Sequence, residues 1–129
     1  MEVNVKIIET TDEKAAVLAI RRTVFIEEQN IPQNIEIDAN EEKANYILAY
    51  VDGQPVGTAR WRETELGIKL ERFAVLPHFR CHGIGKKLTR FILNEMNSQK
   101  SIYLNAQESV IPFYQKCGFQ TVGPKFDEA

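Results

Sequence analysis

Three strand-like segments joined by very short connections occupy the middle of the chain and restrict its fold more than any other feature. Residues 44–51, 56–62 and 66–75 are rich in apolar, β-branched and aromatic side chains, which favour strands. Asp52 and Gly53 stand between the first two segments as a typical hairpin-turn dipeptide. The sequence therefore predicts a β-meander in this part of the chain.

Regular elements are also predicted on the amino-terminal side of the meander. Residues 3–7 alternate at period two, which indicates a strand. Thr10 and Glu13 have the spacing of a capping box, and the helix that they start is expected to reach about residue 28. Residues 29–43 are polar and irregular, so we expect a long loop with at most a helical turn.

The carboxyl-terminal side predicts two more helices and two more strands. Apolar residues at helical spacing indicate a helix over 83–97, followed by a strand over 101–105. A shorter helix over 108–116 ends near a glycine, and a last strand is expected over 119–122. The order β-α-β-β-β-α-β-α-β predicts one α/β domain over residues 1–129, with a mixed, mostly antiparallel central sheet and helices on both faces.

Composition argues against several classes of partner. The formal charge is −2, and the only basic concentration is too small to coat a nucleic-acid duplex, although it suffices for one polyphosphate. No segment approaches the roughly 18 apolar residues of a membrane span, and the start lacks the features of a signal peptide. Two cysteines are too few for a disulfide scaffold, and the two histidines lack partners for a metal site. We therefore expect a cytoplasmic protein, monomer or homodimer, without metal, membrane or nucleic-acid partner.

A short glycine-containing loop, RCHGIG at residues 80–85, stands between the meander and the next helix. A helix N-terminus presents unpaired N–H groups, and Gly83 and Gly85 would let a phosphate approach them closely. Arg80, Lys86 and Lys87 add positive charge. The spacing fits neither a Walker A loop nor a dinucleotide-binding fingerprint. The loop predicts a pyrophosphate site, unless the glycines only cap a surface helix.

This loop and its surroundings resemble the GNAT superfamily of N-acetyltransferases, whose hallmark is Gln/Arg-x-x-Gly-x-Gly/Ala. The segment FAVLP at residues 73–77 is similar to the family's fourth strand, and VIPFYQKCGF at 110–119 to a later helix. Residues 24–30 and 104–107 resemble the ElaA-like branch, so the likeness covers almost the whole chain. It implies a GNAT-like sheet, acetyl-CoA as the donor and an amine as the acceptor.

The resemblance also implies which residues hold acetyl-CoA. The pyrophosphate would bind the loop amides, and the pantetheine would pair with the backbone at the end of the fourth strand. A side chain after the fifth strand would add a further contact. The residues expected to bind the cofactor are Phe73, Ala74, Val75, Arg80, Cys81, His82, Gly83, Ile84, Gly85 and Lys86, with Asn105 or Gln107.

The sequence departs from the family pattern in two places. Cys81 stands where many members have glycine, which would alter the loop or place a reactive thiol at its edge. The chain ends at Ala129, soon after the predicted sixth strand. Either the family's final strand is missing, or a partner covers the exposed sheet edge.

Acetyl transfer to an amine requires a base for the ammonium and a donor for the leaving thiolate. By resemblance, the Tyr114 hydroxyl faces the CoA sulfur and is the candidate acid, the alternative being a core tyrosine. The backbone N–H of Val75 is the candidate oxyanion donor. Strand alternation would put Glu71 on one face with Phe73 and Val75, which makes it the candidate base, unless it is a surface or paired glutamate.

Further acidic residues lie on the expected acceptor side. Glu27 and Glu28, at the end of the first helix, are rival bases or ligands for a cationic acceptor. The following loop would favour a cationic substrate unless it is simply solvated; its acids are Glu36, Asp38, Glu41 and Glu42. We expect an N-acetyltransferase that acts by direct attack in a ternary complex. The alternative is a non-catalytic acyl-CoA-binding sensor or interaction module.

Overall fold

The computed structural model describes residues 2–96, 101–105 and 110–120. Within these ranges the chain forms five strands and four α-helices, with a π-helical segment after the first helix. The elements are β1 (Val3–Ile7), α1 (Thr11–Arg21), the π segment (Arg22–Glu28), α2 (Gln33–Glu36), β2 (Asn45–Val51), β3 (Gln54–Thr64), β4 (Gly67–Val75), a 3₁₀ turn (Pro77–Phe79), α3 (Ile84–Glu95), β5 (Ile102–Leu104) and α4 (Ile111–Lys116).

The strands form one sheet in the order β1-β2-β3-β4-β5. The first four are antiparallel neighbours, and β5 runs parallel to β4. Asp52 and Gly53 both have positive φ, 51° and 80°, as a two-residue type I′ hairpin turn requires. The predicted meander and the mixed, mostly antiparallel sheet are therefore confirmed.

Helices cover both faces of this sheet, each over its own apolar cluster. On one face α3 packs through Ile84, Leu88 and Ile92 against residues that include Trp61 and Leu70. Gly57 makes this approach possible, since a Cβ there would lie 3.0 Å from Ile84 Cγ2. The opposite face is covered by α1, and its cluster consists of Val17, Ile20, Val24, Tyr46, Leu48 and Ala74.

The first helix begins as predicted but changes geometry halfway. Thr10 Oγ1 accepts from the Glu13 N–H at 3.1 Å, and Glu13 Oε1 accepts from the Thr10 N–H at 3.0 Å, which is the expected capping box. From Arg22 to Glu28 the helix is π-helical rather than α-helical. Such segments are frequent at functional sites.

A β-bulge interrupts β4 shortly before its end. Arg60 pairs with Glu71 and Thr58 with Ala74, so β4 carries one residue more than β3 across this step. Arg72 supplies the bend with a left-handed φ of 56°. The extra residue reverses the alternation. Glu71 pairs with Arg60 on the α1 face, whereas Phe73 and Val75 pack on the α3 face.

The carboxyl-terminal predictions are only partly covered by the described residues. Phe119 and Gln120 are not in a strand, and the rest of the predicted last strand lies outside the described ranges. The helix expected over 108–116 begins at Ile111 in the described part. Within the described ranges, no helix has the length and apolarity needed to cross a bilayer.

Candidate active site

The glycine loop forms a shallow cradle of backbone N–H groups at the start of α3. Gly83 is the N-cap and has φ of 79°, and no side chain caps the helix. The first hydrogen bond of α3 runs from the Lys87 N–H to the Gly83 carbonyl at 3.0 Å, which leaves the preceding amides to solvent or a ligand. No described atom lies within 4 Å of a Cβ built on Gly83. As far as the described residues show, the cradle is open to an anion.

Cys81 has a backbone conformation that favours glycine, the residue that many members of the resembled family carry at this position. Its φ is 66°, in the left-handed region, and its side chain is exposed with a free thiol. A non-glycine residue in this region costs about 1–2 kcal/mol. The loop therefore keeps the backbone shape that a glycine would adopt and adds a thiol at its rim.

Arg80, the first residue of the loop, is held on three sides. Its Nη1 and Nη2 donate to the two carboxylate oxygens of Glu28 at 2.7 and 2.6 Å, and its Nε donates to the Val75 carbonyl at 3.0 Å. The hydrogen bonds from Arg80 hold the pKa of Glu28 below its usual value. Glu28, considered for the acceptor, is thus the partner of Arg80. The two residues are 52 positions apart, so local sequence patterns could not reveal the pair.

Among the described residues, none pairs with the β5-facing edge of β4 beyond the bulge. β5 pairs only with residues 68–70, while β4 continues to Val75. The Leu76 N–H donates to the Val56 carbonyl of β3 at 2.9 Å. Because backbone groups alternate in direction along an antiparallel strand, Ala74 also points to β3, and Phe73 and Val75 point to the open edge. Of the three residues expected to bind pantetheine, Phe73 offers its N–H and carbonyl and Val75 offers its N–H, because the Val75 carbonyl already accepts from Arg80 Nε.

Tyr114 lies in an aromatic cluster beside this open edge. Its ring meets those of Phe73, Phe113 and Phe119 edge to face, with centroids 5.8, 5.0 and 5.9 Å apart. Burial raises the pKa of Tyr114 to about 12, and Cys117 adds to the effect. Phe113 also approaches the start of α3, since a Cβ on Gly85 would lie 3.4 Å from its ring. Helix α4 therefore connects the strand edge with the anion cradle.

Glu71 is enclosed by three cationic side chains. Oε2 accepts from Arg60 Nε at 2.6 Å and from Arg62 Nε at 3.0 Å, and Lys69 Nζ lies 3.4 Å from Oε1. Burial favours the neutral acid, but Arg62 and Arg60 outweigh it and lower the pKa of Glu71. The expectation that Glu71 shares a face with Phe73 and Val75 is wrong, because the bulge intervenes. Its contacts favour the paired-glutamate alternative.

Arg21 is buried at the centre of a second cluster of charges. Nε donates to Glu36 Oε1 at 2.6 Å, and Nη1 and Nη2 donate to the two oxygens of Glu41 at 2.7 and 2.8 Å. In the sequence, Arg21 is a charged residue on the apolar face of α1, between Ile20 and Val24. A buried charge in this position indicates a buried partner of opposite charge. Its partners could not be identified from that signal.

Arg60 and Arg72 bind the acidic loop between α2 and β2 to the sheet. Arg60 Nη2 donates to Asp38 Oδ2 at 2.7 Å, and its Nη1 donates to Glu41 Oε2 at 3.1 Å. Arg72 Nη2 also donates to Asp38 Oδ2, at 3.2 Å. Three acids of the loop, Glu36, Asp38 and Glu41, are thus bound to arginines of the same chain, whereas Glu42 is exposed. These pairs offset the negative charge that was expected to favour a cationic substrate.

The remaining predicted site residues lie at the margin. Asn105 follows β5 and is exposed, and Gln107 lies outside the described residues. His82 and Lys86 are exposed beside the cradle. Glu27 Oε2 lies 3.5 Å from Arg22 Nε on the protein surface. Within the described ranges, no three acidic, histidine or cysteine side chains come together as a metal site.

Comparison with known proteins identifies the family. The family model of the acetyltransferase (GNAT) domain matches residues 7–129. The uncharacterised N-acetyltransferase YjcF of Bacillus subtilis is 35% identical over 108 residues, which are 82% of this chain and 77% of YjcF. The uncharacterised protein YyaT of the same organism is 38% identical, over 97% of this chain and 88% of YyaT.

A solved structure agrees with these relatives. The crystal structure of Escherichia coli ElaA has a TM-score of 0.87 to this chain at 25% identity, over 99% of this chain and 94% of ElaA. The likeness to the ElaA-like branch is thereby confirmed, as is the GNAT-like fold. The chain belongs to the GNAT family of acetyltransferases and is an acyl-CoA-dependent N-acetyltransferase.

Proposed function

We propose that the protein transfers acetyl from acetyl-CoA to an amine of a small molecule or peptide, which attacks directly in a ternary complex. The observation that carries this proposal is the open edge of β4 next to the uncapped start of α3. One long ligand with a pyrophosphate and an amide-containing arm fits both features. An enzyme nucleophile is not required when two bound substrates are aligned for reaction.

The described residues fit the polar parts of acetyl-CoA. The N–H groups from Cys81 to Lys86 would hold the pyrophosphate, with the helix dipole and the exposed Lys86 adding positive potential. Ile84 can contribute only its backbone, because its side chain is buried in the core. Phe73 would pair with an amide of the pantetheine arm, and Val75 would direct its N–H at the thioester end of the same arm. Arg80 would support the loop while it remains bound to Glu28.

The transfer step exchanges one bond for another. The amine nitrogen attacks the thioester carbon, a C–N bond forms and the C–S bond breaks. The amine gives one proton to the base, and the sulfur departs as a thiolate that later takes a proton from water. The Val75 N–H, directed to the open edge, is the proposed donor to the oxyanion. The bound thioester supplies the acetyl group.

Tyr114 is the proposed hydrogen-bond donor to the departing sulfur. Its pKa of about 12 lies well above the roughly 8.5 of an ordinary thiol. Complete transfer of its proton to the thiolate would therefore be unfavourable. A hydrogen bond that strengthens as charge develops on sulfur needs no such transfer. Tyr114 accordingly stabilises the leaving group and stays protonated at neutral pH.

Glu71 and Glu28 are the two candidate bases for the ammonium proton. Glu71 is ionised at neutral pH, but its lowered pKa makes it a weak proton acceptor. Glu28 lies at the end of the π segment and would become available if Arg80 turned to the pyrophosphate. A water molecule could relay the proton to either carboxylate.

A panel of amines tests the proposed function. Acetyl-CoA is incubated with polyamines, amino acids, aminoglycosides and peptides, while free thiol is measured and products are identified by mass. We expect acetylation of at least one class, with both substrates required before thiol is released. Calorimetric binding of CoA without acetylation of any amine would instead support the acyl-CoA sensor.

A further inference from the structure

The α1 face of the sheet carries a group of cationic side chains just before the β4 bulge. Arg62 and Lys69 occupy directly opposed positions on β3 and β4. Like charges in this position repel unless an anion lies between them. Glu71 is the described anion here, and Arg60 takes part of its charge as well. Glu71 is therefore shared by Arg60, Arg62 and Lys69, and Arg60 is bound to Asp38 and Glu41 as well.

Two guanidinium groups at this surface retain unpaired donors. Among the described residues, Arg62 contacts Glu71 through Nε alone. Arg72 uses only Nη2, in three long contacts of 3.2–3.4 Å to Asp38 and to two loop carbonyls. Arg72 Nε is enclosed and has no hydrogen-bond partner in the described part of the chain. Arg21, in contrast, makes five side-chain hydrogen bonds of 2.6–3.1 Å.

Both arginines are partly exposed, and Arg72 is held in an unusual state. The side chain of Arg62 is 23% accessible and that of Arg72 is 18%. Arg72 combines a left-handed φ with an enclosed polar atom that lacks a partner. Each of these is unfavourable by itself, and such features concentrate at functional sites. Its weak contacts can be exchanged for a stronger one.

The position of Arg72 relates this surface to the reaction centre. Arg72 directly precedes Phe73, whose ring packs on Tyr114. Val75, the proposed oxyanion donor, lies three residues further along β4, roughly 10 Å for an extended strand. The loop acids that could have attracted a second ammonium group are already bound to arginines. The free donors on this side therefore favour a negative group at some distance from the reacting amine.

We propose that this surface binds the acceptor and that the acceptor is an amine carrying a carboxylate or phosphate, held by Arg72 and Arg62. This inference rests on the proposed function and adds the substrate class. A guanidinium is suited to both anions, because its planar fork donates two parallel hydrogen bonds.

Matched pairs of acceptors test the proposal with the wild-type protein. β-Alanine is compared with ethylamine, 4-aminobutyrate with propylamine, and phosphoethanolamine with ethanolamine. We expect kcat/KM to be about tenfold or more higher for the acid of each pair, since the neutral amine leaves the arginine donors unpaired. The phosphate pair and the carboxylate pairs show which anion is preferred. Equal or better use of the neutral amines would overturn the proposal.

Variants separate recognition from a structural role. Arg62→Gln and Arg72→Gln are each expected to remove the preference for acids while leaving KM for acetyl-CoA near that of the wild type. Arg72→Lys should retain part of the preference, because it keeps the charge. Arg22→Gln, on an exposed arginine of the π segment, is the control. A uniform loss for acids and neutral amines in Arg62→Gln and Arg72→Gln would contradict anion recognition.

A binding measurement decides the inference even if no amine in the series reacts. N-acetyl-β-alanine and N-ethylacetamide are titrated into the protein saturated with CoA. We expect the acid to bind measurably more tightly than the neutral amide, and Arg62→Gln to abolish the difference. Absence of any difference in the wild type would refute the anion site. Acid binding without turnover would count against the proposed catalysis and leave the anion site supported.

Discussion

At the scale of single residues, the aromatic surroundings of Tyr114 determine what its hydroxyl can do. Three rings enclose it, and burial raises its pKa to about 12. A phenol in such a place is a hydrogen-bond donor over the whole physiological pH range. It also packs α4 against Phe73, so its ring and its hydroxyl have separate roles.

Tyr114→Phe tests the hydroxyl without removing the ring. We expect kcat to fall by about 10²-fold, since one positioned donor to a developing charge contributes that order. The dissociation constant for acetyl-CoA should change little, because the aromatic contacts remain. Since the pKa of Tyr114 is raised, its ionisation should cause no loss of wild-type activity below about pH 10. Thiol-release assays across pH 6–10 measure kcat and its pH dependence. Calorimetry with CoA measures the dissociation constant.

Two outcomes would contradict this role of Tyr114. An unchanged kcat in Tyr114→Phe would make it a core tyrosine. A large rise in the dissociation constant would show that it serves binding instead. Phe113→Leu, a change to the neighbouring ring, provides the comparison for altered packing alone.

The sequence predicted the features that depend on the local backbone conformation. It was less informative about those that depend on contacts between side chains distant in sequence. The open amides at Gly83 follow from a glycine before an amphipathic helix. The face of Glu71 could not be deduced from alternation, because Arg72 adopts a left-handed φ that no local signal announces. Arginine is an unusual residue for this conformation, and only its tertiary contacts explain its presence.

At the scale of elements, the charged loop between α2 and β2 is fastened to the sheet by arginines. Glu41 is the central acid, since it accepts from Arg21, from Arg60 and from the Tyr46 hydroxyl. Burial opposes its ionisation, but these hydrogen bonds prevail and lower the pKa of Glu41 far below its usual range. These contacts thus hold the loop against α1 and the sheet.

This arrangement predicts a loss of stability in acid. A carboxyl whose folded pKa is lowered stabilises the protein above its unfolded pKa, about 4.5, and loses that contribution as pH falls below it. Glu41→Gln should lower the free energy of unfolding at pH 7 by about 3–5 kcal/mol, because two buried arginines lose a partner. The difference from the wild type should shrink steadily below about pH 4.5. Urea unfolding at pH 7, 5, 4 and 3 measures this.

Glu42→Gln is the matched control for Glu41. Glu42 is adjacent and exposed, so its replacement should change the free energy of unfolding by less than about 0.5 kcal/mol. An effect of Glu41→Gln as small as that of the control, or one that does not vary with pH, would show that the buried pairs do not stabilise the loop.

The elements themselves were predictable to different degrees for physical reasons. The hairpin and the capping box depend on neighbouring residues and appear as predicted. The apolar spacing predicts one helix that reaches about residue 28, and it does not distinguish the π-helical geometry from Arg22 to Glu28 from an α-helix. The β4 bulge depends on contacts with a loop some 35 residues away, which periodicity cannot detect.

At the scale of the whole molecule, Glu28 and Arg80 connect the two sides of the proposed active site. Glu28 ends the π segment on the α1 side, whereas Arg80 begins the glycine loop. Arg80 donates to Glu28 through Nη1 and Nη2 and to the Val75 carbonyl through Nε. The pyrophosphate of acetyl-CoA would compete with Glu28 for this guanidinium. Binding of the donor would then free a carboxylate on the acceptor side.

Replacement of Glu28 tests this competition. Glu28→Gln removes a negative charge beside a polyanion site and frees Arg80, so we expect acetyl-CoA to bind about threefold more tightly at low ionic strength. The gain should disappear near 1 M salt, where charges at this distance are screened. Glu27→Gln, which removes the same charge one residue earlier from a surface pair with Arg22, should have a smaller effect. Weaker binding in Glu28→Gln would mean that Glu28 positions the loop, and equal effects of the two variants would mean that only net charge matters.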